Sequence, residues 1–215
     1  MRGEVALVGR SNVGKSSLIN SLVRQKIART SAAPGKTRLA NIYRVARGSG
    51  APLYLVDLPG YGYARGGPGE FAQLVGDYFR SASASAPGHG ALLLVDSRHP
   101  GLESDLEAWA WLRDSVDAAA IVATKIDKLA RGQRIRAMRE LESVFEHPVL
   151  PVSAVTGEGL DELWTLIDNL TNSRNPPRKS SLNSHSPSSP PGAMARPPAG
   201  QPRQEARVAA RPRKR

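Results

Sequence analysis

The 215-residue chain contains no cysteine, which excludes disulfide bonds, thiolate catalysis and cysteine-ligated metal sites. Its four histidines, His89, His99, His147 and His185, lack the spacing of a metal site and are more simply surface or loop residues. No apolar run approaches the ~18 residues that a membrane span requires. The first residues also lack the apolar core of a signal peptide. We therefore expect a cytoplasmic protein with no membrane segment.

Acidic side chains are almost missing from residues 174–215, which contain ten Arg or Lys and one acid, Glu205. This segment therefore carries +9 of the formal charge of +11, and the rest of the chain is nearly balanced. Pro, Ser and Arg dominate it, and its apolar residues are too scattered to bury a core. We predict one folded domain over residues 1–172 and a disordered basic tail over residues 173–215.

Apolar, β-branched runs recur in the first 172 residues, separated mostly by helical patterns. They lie at 5–8, 53–56, 91–95, 119–122 and 149–152. Runs that are apolar on both faces suit a parallel sheet that is covered on both sides. Residues 41–47 predict one further strand, joined to 53–56 as an antiparallel hairpin by the turn-forming residues 48–50. The sequence therefore predicts a three-layer α/β fold with a mostly parallel central sheet, one antiparallel strand and helices on both faces.

Apolar residues at helical spacing fill the intervals between these runs. The stripes are Leu18, Ile19, Leu22 and Val23; Phe71, Leu74, Val75, Tyr78 and Phe79; Leu102, Leu106, Trp109 and Leu112; Ile135, Met138, Leu141 and Phe145; and Leu160, Leu163, Trp164 and Ile167. We expect each stripe to pack on the sheet, with the tryptophans and Met138 as core residues rather than parts of an aromatic binding site.

Residues 9–16 fit the phosphate-loop pattern G-x-x-x-x-G-K-[ST] directly after the first apolar run. The octet is Gly9, Arg10, Ser11, Asn12, Val13, Gly14, Lys15 and Ser16. Its glycines allow successive backbone N–H groups to turn toward phosphate oxygens. Lys15 would approach the β- and γ-phosphates, and the Ser16 hydroxyl would bind Mg²⁺. The octet therefore predicts a nucleoside triphosphate site with magnesium.

The second apolar run is followed by Asp57, Leu58, Pro59 and Gly60. Asp57 would then lie at the carboxyl end of a buried strand, where open α/β sheets bind their ligands. There it could hold Mg²⁺ through water. The Gly60 N–H would reach the γ-phosphate, and residues 60–69, with five glycines, would form a mobile sensor of that phosphate.

A second strand end carries the chemistry to read a base, in the motif Thr124, Lys125, Ile126 and Asp127. The Asp127 carboxylate can accept from N1–H and the 2-amino group of guanine, whereas adenine has an acceptor at N1 and no 2-amino group. Selectivity of this kind can reach roughly 10⁴-fold or more. The Lys125 stem would lie along the base. The site is predicted to extend to Val152, Ser153 and Ala154, where the N–H groups of Ser153 and Ala154 would face guanine O6.

Thr37 is the candidate for the second protein ligand of magnesium, in the polar loop 30–38 between the first helix and the hairpin. Its neighbours Gly35, Lys36, Arg38 and Leu39 would also contact the nucleotide. Such a loop could grip the metal and the γ-phosphate only in the triphosphate state and be released on hydrolysis. The alternative is that Thr37 is an ordinary loop threonine.

These motifs, in this order, resemble the translation-factor-related GTPases and, within them, the EngB-type (YihA/YsxC) ribosome-biogenesis GTP-binding proteins. The resemblance runs from about residue 3 to residue 170 and is carried by residues 9–20, 28–31 with 34–37, 57–64, 96–99 and 124–128. A threonine at 124 and paired tyrosines at 61 and 63 are typical of this group. Two features depart from the family pattern. The chain begins almost on the first strand, which a misplaced start or a shortened sheet edge would explain. The basic tail is also long.

The resemblance implies a P-loop GTPase fold over 1–172, binding of GTP and GDP with Mg²⁺, and action on the large ribosomal subunit precursor and its rRNA. It also implies a link to cell division and septation. We expect a monomer. A scaffold or signalling protein that is gated by GTP, with negligible hydrolysis and a tail that recruits a partner, is the alternative.

Tyr61 stands where many regulatory GTPases place a glutamine that orients the attacking water. A tyrosine cannot take that role, so we predict slow hydrolysis that relies on Lys15, Mg²⁺ and the backbone amides, Gly60 among them. Asn12 could hold K⁺ where the charge of an arginine finger would otherwise lie, or it could only brace the loop. An arginine from a partner, or Arg38 or Arg65 in cis, is the competing source of charge.

Basic side chains outside the site predict salt-sensitive contact with RNA. They are the tail and four arginines at helical positions, Arg131, Arg134, Arg136 and Arg139. A solvated helix face is the alternative for the four arginines. The tail could instead be a spacer, or its proline-rich stretch 187–191 could be a docking peptide.

Overall fold

The structure, a computed structural model, describes residues 3–28, 40–46, 51–61, 75–76, 78–79, 89–116 and 118–172. Its strands are β1 (Gly3–Gly9), β2 (Asn41–Val45), β3 (Leu53–Asp57), β4 (His89–Asp96), β5 (Ala118–Thr124) and β6 (Val149–Pro151). Its helices are α1 (Lys15–Val23), α2 (Glu103–Ser115), α3 (Arg131–Phe145) and α4 (Leu160–Asn172), with a 3₁₀ turn at Ile126–Lys128. Residues 75, 76, 78 and 79 are also helical. The predicted tail, 173–215, the predicted turn, 48–50, and the last residue of the predicted strand 41–47 lie outside the described residues.

Within the described residues, six strands form one sheet in the order β2-β3-β1-β4-β5-β6. β1 pairs in parallel with both β3 and β4, and β5 pairs in parallel with β4 and β6. β2 runs antiparallel to β3. The predicted fold class, including its antiparallel strand, is confirmed. Because the parallel strands share one direction, the loops after β1, β3, β4, β5 and β6 lie at one edge of the sheet.

Alternation along β1 divides the core into two layers, one on each face of the sheet. Val5 and Leu7 pack with residues of α1 and α4, whereas Ala6 and Val8 pack with residues of α2 and α3. All four of these β1 side chains are fully buried. A central strand that is apolar on both faces therefore explains why helices cover both sides.

The helical stripes are mostly confirmed, with one wrong assignment. Trp109 and Leu141 are buried, and Met138 packs at the edge of the core. Ile135, however, is 47% exposed. The core-facing stripe of α3 consists of Ala137, Leu141 and Phe145, and Ile135, two residues before Ala137, lies on the opposite side of the helix. Phe71 and Leu74 lie outside the described residues.

The loop between β6 and α4 makes a close approach to the sheet at Gly159. This residue has a φ of +76°, and a Cβ added there would lie 2.2 Å from the carbonyl oxygen of Pro151. Its own carbonyl accepts the N–H of Leu163 in the first turn of α4.

No helix in the described ranges is both long and apolar enough to cross a membrane.

We predict that Gly159→Ala lowers the free energy of unfolding by more than about 1 kcal/mol, because alanine is strained at positive φ and its methyl group meets backbone. Gly132→Ala is the matched control, since Gly132 lies in α3 and a Cβ there would have its nearest neighbour 3.9 Å away. That change should stabilise the protein by about 0.5–1 kcal/mol. Urea unfolding followed by circular dichroism measures both, and equal effects of the two variants would contradict the prediction.

Candidate functional site

Lys15 lies inside the curl of the phosphate loop, at the first position of α1. Its Nζ donates to the carbonyl oxygens of Gly9, at 3.0 Å, and Arg10, at 3.3 Å. The side chain is buried, and burial lowers the pKa of Lys15 while the negative charge of Asp57 opposes that shift. The ammonium is therefore held by two carbonyl groups that phosphate oxygens could replace.

Two of the predicted magnesium ligands are brought together by the structure. The Ser16 hydroxyl donates to Oδ2 of Asp57 at 3.2 Å, although the two residues are far apart in sequence. Oδ1 of Asp57 is buried and has no hydrogen-bond partner among the described residues. Burial raises the pKa of Asp57, and Lys15 and Ser16 counteract this. A buried carboxylate oxygen without a partner, next to a hydroxyl, fits a hard divalent cation. The third predicted ligand, Thr37, and its neighbours 35–39 lie outside the described residues.

The Asp127 carboxylate is oriented by the loop after β6. The Ser153 hydroxyl donates to Oδ1 of Asp127 at 2.7 Å, and the same hydroxyl oxygen accepts the N–H groups of Val155 and Thr156. Although burial alone would raise the pKa of Asp127, the hydrogen bonds from Ser153 and Lys128 hold it below its ordinary value. The carboxylate is thus ionised and directed, as an acceptor for two guanine N–H groups requires.

The base-reading motif is bonded directly to the phosphate loop. The Thr124 hydroxyl donates to the carbonyl oxygen of Val13 at 2.7 Å, and Lys125 Nζ donates to that of Asn12 at 2.5 Å. Asn12 and Lys125 both have left-handed backbone, with φ of +64° and +61°, and asparagine tolerates this conformation better than most residues. These bonds fix the distance between the predicted phosphate and base subsites.

Three apolar residues of the predicted site have side chains that pack in the core. Val13, Leu58 and Ile126 are almost fully buried, and the Leu58 N–H donates to the carbonyl oxygen of Leu7. They anchor their loops to the sheet. Pro59 and Gly60 are half-buried and continue the chain toward the phosphate loop.

The loop after β6 offers fewer free amides than predicted. The Ser153 N–H donates to the carbonyl oxygen of Glu158, and the Val152 N–H donates to that of Ala123. The predicted donation to guanine O6 therefore falls to Ala154 alone. Ala154 also lines a cavity of about 450 Å³, whose wall includes Ser17, Lys26 and Ala28.

Asp96 and Arg98 form part of the site that the sequence analysis left without a role. Arg98 donates from Nε to Oδ1 of Asp96 at 2.9 Å and from Nη2 to Oδ2 at 2.7 Å, and Lys125 Nζ lies 2.9 Å from Oδ2. Burial would raise the pKa of Asp96, but Arg98 and Lys125 hold it well below its usual range. Asp96 thus holds the Lys125 ammonium in position. Asp96 is the last residue of a buried strand, as Asp57 is. This position was the signal from which its role in the site could have been predicted.

Asn20 is a second residue without a predicted role. Its Oδ1 accepts the N–H groups of Ile27 and Ala28, at 2.9 and 2.7 Å, and its Nδ2 donates to the Ala28 carbonyl at 2.8 Å. These bonds hold the chain just before residues 29–39, where Thr37 lies. A polar residue between the core residues Ile19 and Leu22 was the available signal.

The chain is similar to known GTP-binding proteins. Residues 4–128 match the family model described as "50S ribosome-binding GTPase". The chain is 44% identical over 177 residues to the probable GTP-binding protein EngB of Thermotoga maritima, covering 79% of this chain and 87% of that protein. It is also 44% identical over 176 residues to the EngB of Chlorobaculum tepidum, covering 79% and 88%.

Solved structures share the fold. Era in complex with MgGDPNP and nucleotides 1506-1542 of 16S ribosomal RNA has a TM-score of 0.67 at 23% identity, over 84% of this chain and 60% of that one. A probable GTP-binding protein engB has a TM-score of 0.58 at 23% identity, over 79% of this chain and 98% of that one. At this identity the likeness concerns the fold alone.

We predict that Asp127→Asn weakens GDP binding by at least about 10³-fold, because an amide cannot accept from both guanine N–H groups. The same variant should gain affinity for xanthosine diphosphate, whose 2-oxo group can accept from the new amide. Fluorescence titration with both nucleotides measures the exchange. Asp161→Asn, at an exposed position of α4, is the control and should bind GDP like the unmodified protein. Unchanged GDP affinity in Asp127→Asn would contradict the role of this residue.

Proposed function

This chain belongs to the 50S ribosome-binding GTPase family, with EngB-type proteins as its relatives, and on that premise we propose that it is a slow, magnesium-dependent GTP hydrolase that serves as a switch in assembly of the large ribosomal subunit. One observation carries the proposal: Lys15, the Ser16 and Asp57 pair and the oriented Asp127 lie at the same edge of the sheet, with the loops bonded to each other. A nucleotide bound across these groups would place its phosphates at Lys15, its metal ion at Ser16 and Asp57, and its base at Asp127.

The residues have separate tasks in hydrolysis. Lys15 binds the β- and γ-phosphate oxygens once they displace the two carbonyl groups that hold its Nζ. Ser16 and Asp57, with Thr37, would hold Mg²⁺, which would supply positive charge to stabilise the phosphates. Gly60 offers its N–H to the γ-phosphate, where negative charge develops. Positioning and electrostatics therefore supply most of the acceleration.

Slow turnover follows from the place of Tyr61. The Tyr61 side chain is buried, and its hydroxyl donates to Oδ1 of Asp105 at 2.6 Å. It is thus bound inside the protein and does not orient a water molecule. Loss of the γ-phosphate would release the segment that contains Thr37, and this change would end one state of the switch.

Contact with rRNA is supported by the charge of α3. Arg131, Arg136 and Arg139 are exposed, and the first turn of α3 contains no acidic residue. Arg131, at the first position of α3, opposes the helix dipole, so its placement does not serve helix stability. Anionic phosphates of rRNA are suitable partners. The basic tail 173–215 would add charge, and the protein would act as a monomer in the cytoplasm, where ribosomal subunits assemble.

The second candidate is a GTP-gated scaffold with negligible hydrolysis, whose tail recruits RNA or a protein. The buried Tyr61 favours this candidate, because it occupies the position directly after Gly60 and does not orient a water molecule. The two candidates differ in single-turnover assays, because only a hydrolase converts bound GTP to GDP and phosphate without a partner.

We predict that the protein co-sediments with large-subunit precursors in one nucleotide state, GTP-bound or GDP-bound, more strongly than in the other. Arg136→Glu combined with Arg139→Glu should weaken this association at least about tenfold and lower its salt dependence, because phosphate contacts are lost. Arg113→Glu, on exposed α2 surface, is the control. Association that is independent of nucleotide and of α3 would count against the switch.

Depletion of the protein tests the assembly role. A normal large-subunit peak on a sucrose gradient after depletion would exclude that role and leave the GTP site intact. Loss of that peak, with slowed growth and septation, would support it.

We also propose that K⁺ stimulates hydrolysis through Asn12. Potassium buffer should then raise kcat several-fold over sodium buffer, by placing charge near the β- and γ-phosphates. In Asn12→Gly, which retains left-handed backbone freedom, the difference should disappear while GDP affinity stays. Equal turnover of the unmodified protein in sodium and potassium would show that Asn12 only braces the loop.

A further inference from the structure

A single buried carboxylate oxygen joins three parts of the site edge. Oδ1 of Asp105, in the first turn of α2, accepts the Tyr61 hydroxyl at 2.6 Å and Nε of Arg10 at 3.1 Å. Arg10 belongs to the phosphate loop, and Tyr61 directly follows Gly60. Asp105 is 1% exposed. No motif in the sequence gives Asp105 a role, and Tyr61 has so far been given no task beyond standing where other GTPases have a glutamine.

The backbone reinforces the same connection. Arg10 and Tyr61 form a parallel β-bridge beyond the ends of β1 and β3, and the Ser11 N–H donates to the Tyr61 carbonyl oxygen at 3.2 Å. Gly60 lies so close to the loop that a Cβ added there would be 2.6 Å from the Ser11 nitrogen. The residue predicted to reach the γ-phosphate is therefore pressed against the phosphate loop, and the residue after it is anchored.

Packing makes this anchor rigid. The Tyr61 side chain is part of the apolar core formed by β-strand residues such as Val56 and helix α2 residues such as Trp109. Burial raises the pKa of Asp105, while Tyr61 and Arg10 counteract that shift through their hydrogen bonds and the Arg10 charge. A buried carboxylate that is satisfied in this way holds its partners in one geometry, because losing either partner leaves a desolvated polar group.

We propose that Asp105 is a positioning residue for GTP hydrolysis, which uses Tyr61 and Arg10 to hold the Gly60 N–H at the phosphate loop. This inference rests on the proposed GTPase function. Asp105 does not touch the nucleotide; it acts through the two segments that do. Tyr61 therefore has a role of its own, because it positions Gly60 instead of orienting water.

The chain contains a matched control for the chemistry of this contact. Tyr78 is a second tyrosine, partly buried, whose hydroxyl donates to a carboxylate, that of Glu4. Glu4 lies near the start of β1, at the end of the strand opposite the phosphate loop. Removing the hydroxyl of Tyr78 therefore costs a similar hydrogen bond without affecting Gly60.

The test compares Tyr61→Phe, Asp105→Asn and their double variant with Tyr78→Phe in the full chain. Phenylalanine removes only the hydroxyl, and asparagine keeps the shape of the side chain and removes its charge. Four quantities are measured: kcat and KM for GTP, the affinity ratio between a non-hydrolysable GTP analogue and GDP, and the melting temperature.

We expect Tyr61→Phe and Asp105→Asn each to lower kcat about tenfold, because a displaced donor stabilises the developing charge less well. The preference for the GTP analogue over GDP should fall about threefold or more, with GDP affinity unchanged. The double variant should lose less than the product of the single losses, since both changes break one network. Tyr78→Phe should lower the melting temperature and leave kcat and the affinity ratio as they are.

A purely structural role would give a different result. In that case Tyr61→Phe and Asp105→Asn would lower the melting temperature, as Tyr78→Phe does, with kcat and the affinity ratio unchanged, and the proposal would be overturned. If the unmodified protein binds GTP and does not hydrolyse it, the GTPase proposal fails. The affinity ratio still decides whether Asp105 positions Gly60.

Discussion

Parallel pairing of β1 with both β3 and β4 is the constraint on which the site depends. In this register Leu7 lies opposite Asp57, and Gly9 lies opposite Leu94. On the next strand pair, Asp96 lies opposite Thr124. The chain therefore leaves the sheet at the same edge on four neighbouring strands, and each strand ends level with its neighbour or two residues beyond it. Side chains that are far apart in sequence come within hydrogen-bond distance for this reason.

Buried charge at this edge is compensated by contacts between different loops. Lys15 is held by loop carbonyls and balanced by Asp57, and Asp96 pairs with Lys125 and Arg98. Unpaired charges would be costly in such surroundings. Lys15 with Asp57 and Lys125 with Asp96 also fix the relative position of different loops, whereas Arg98 pairs with Asp96 within one loop. The site is thus organised by its own electrostatics. Oδ1 of Asp57 is buried and lacks a partner among the described residues, at the place where a cation fits.

Much of the fold was predictable because it depends on local patterns. Buried strands read as apolar runs, and the phosphate loop and the base-reading motif have fixed spacing. Strand ends were less predictable: β1 begins at Gly3 and β4 at His89, since pairing with neighbours extends strands beyond their apolar residues. Ile135 was misassigned because a stripe that repeats every third or fourth residue can be drawn through more than one helix face.

The contacts of Asp105 were hidden for a different reason. Its partners Arg10 and Tyr61 are 95 and 44 residues away, so no local pattern connects them. A weak signal did exist, because Asp105 precedes Trp109 and Leu112 by helical spacing and so lies on the core-facing side of α2. A charged residue in that place predicts a buried partner, but the sequence does not say which one.

The central claim is that one sheet edge binds a guanine nucleotide through phosphate and base contacts together. Competition between fluorescent GDP and unlabelled GDP, ADP or GMP tests it most directly. The account predicts that GDP competes, that ADP is weaker by roughly 10⁴-fold, and that GMP is much weaker than GDP because it lacks the β-phosphate that Lys15 binds. ADP competing as well as GDP would contradict the base-reading role of Asp127, and GMP competing as well as GDP would contradict the role of the phosphate loop.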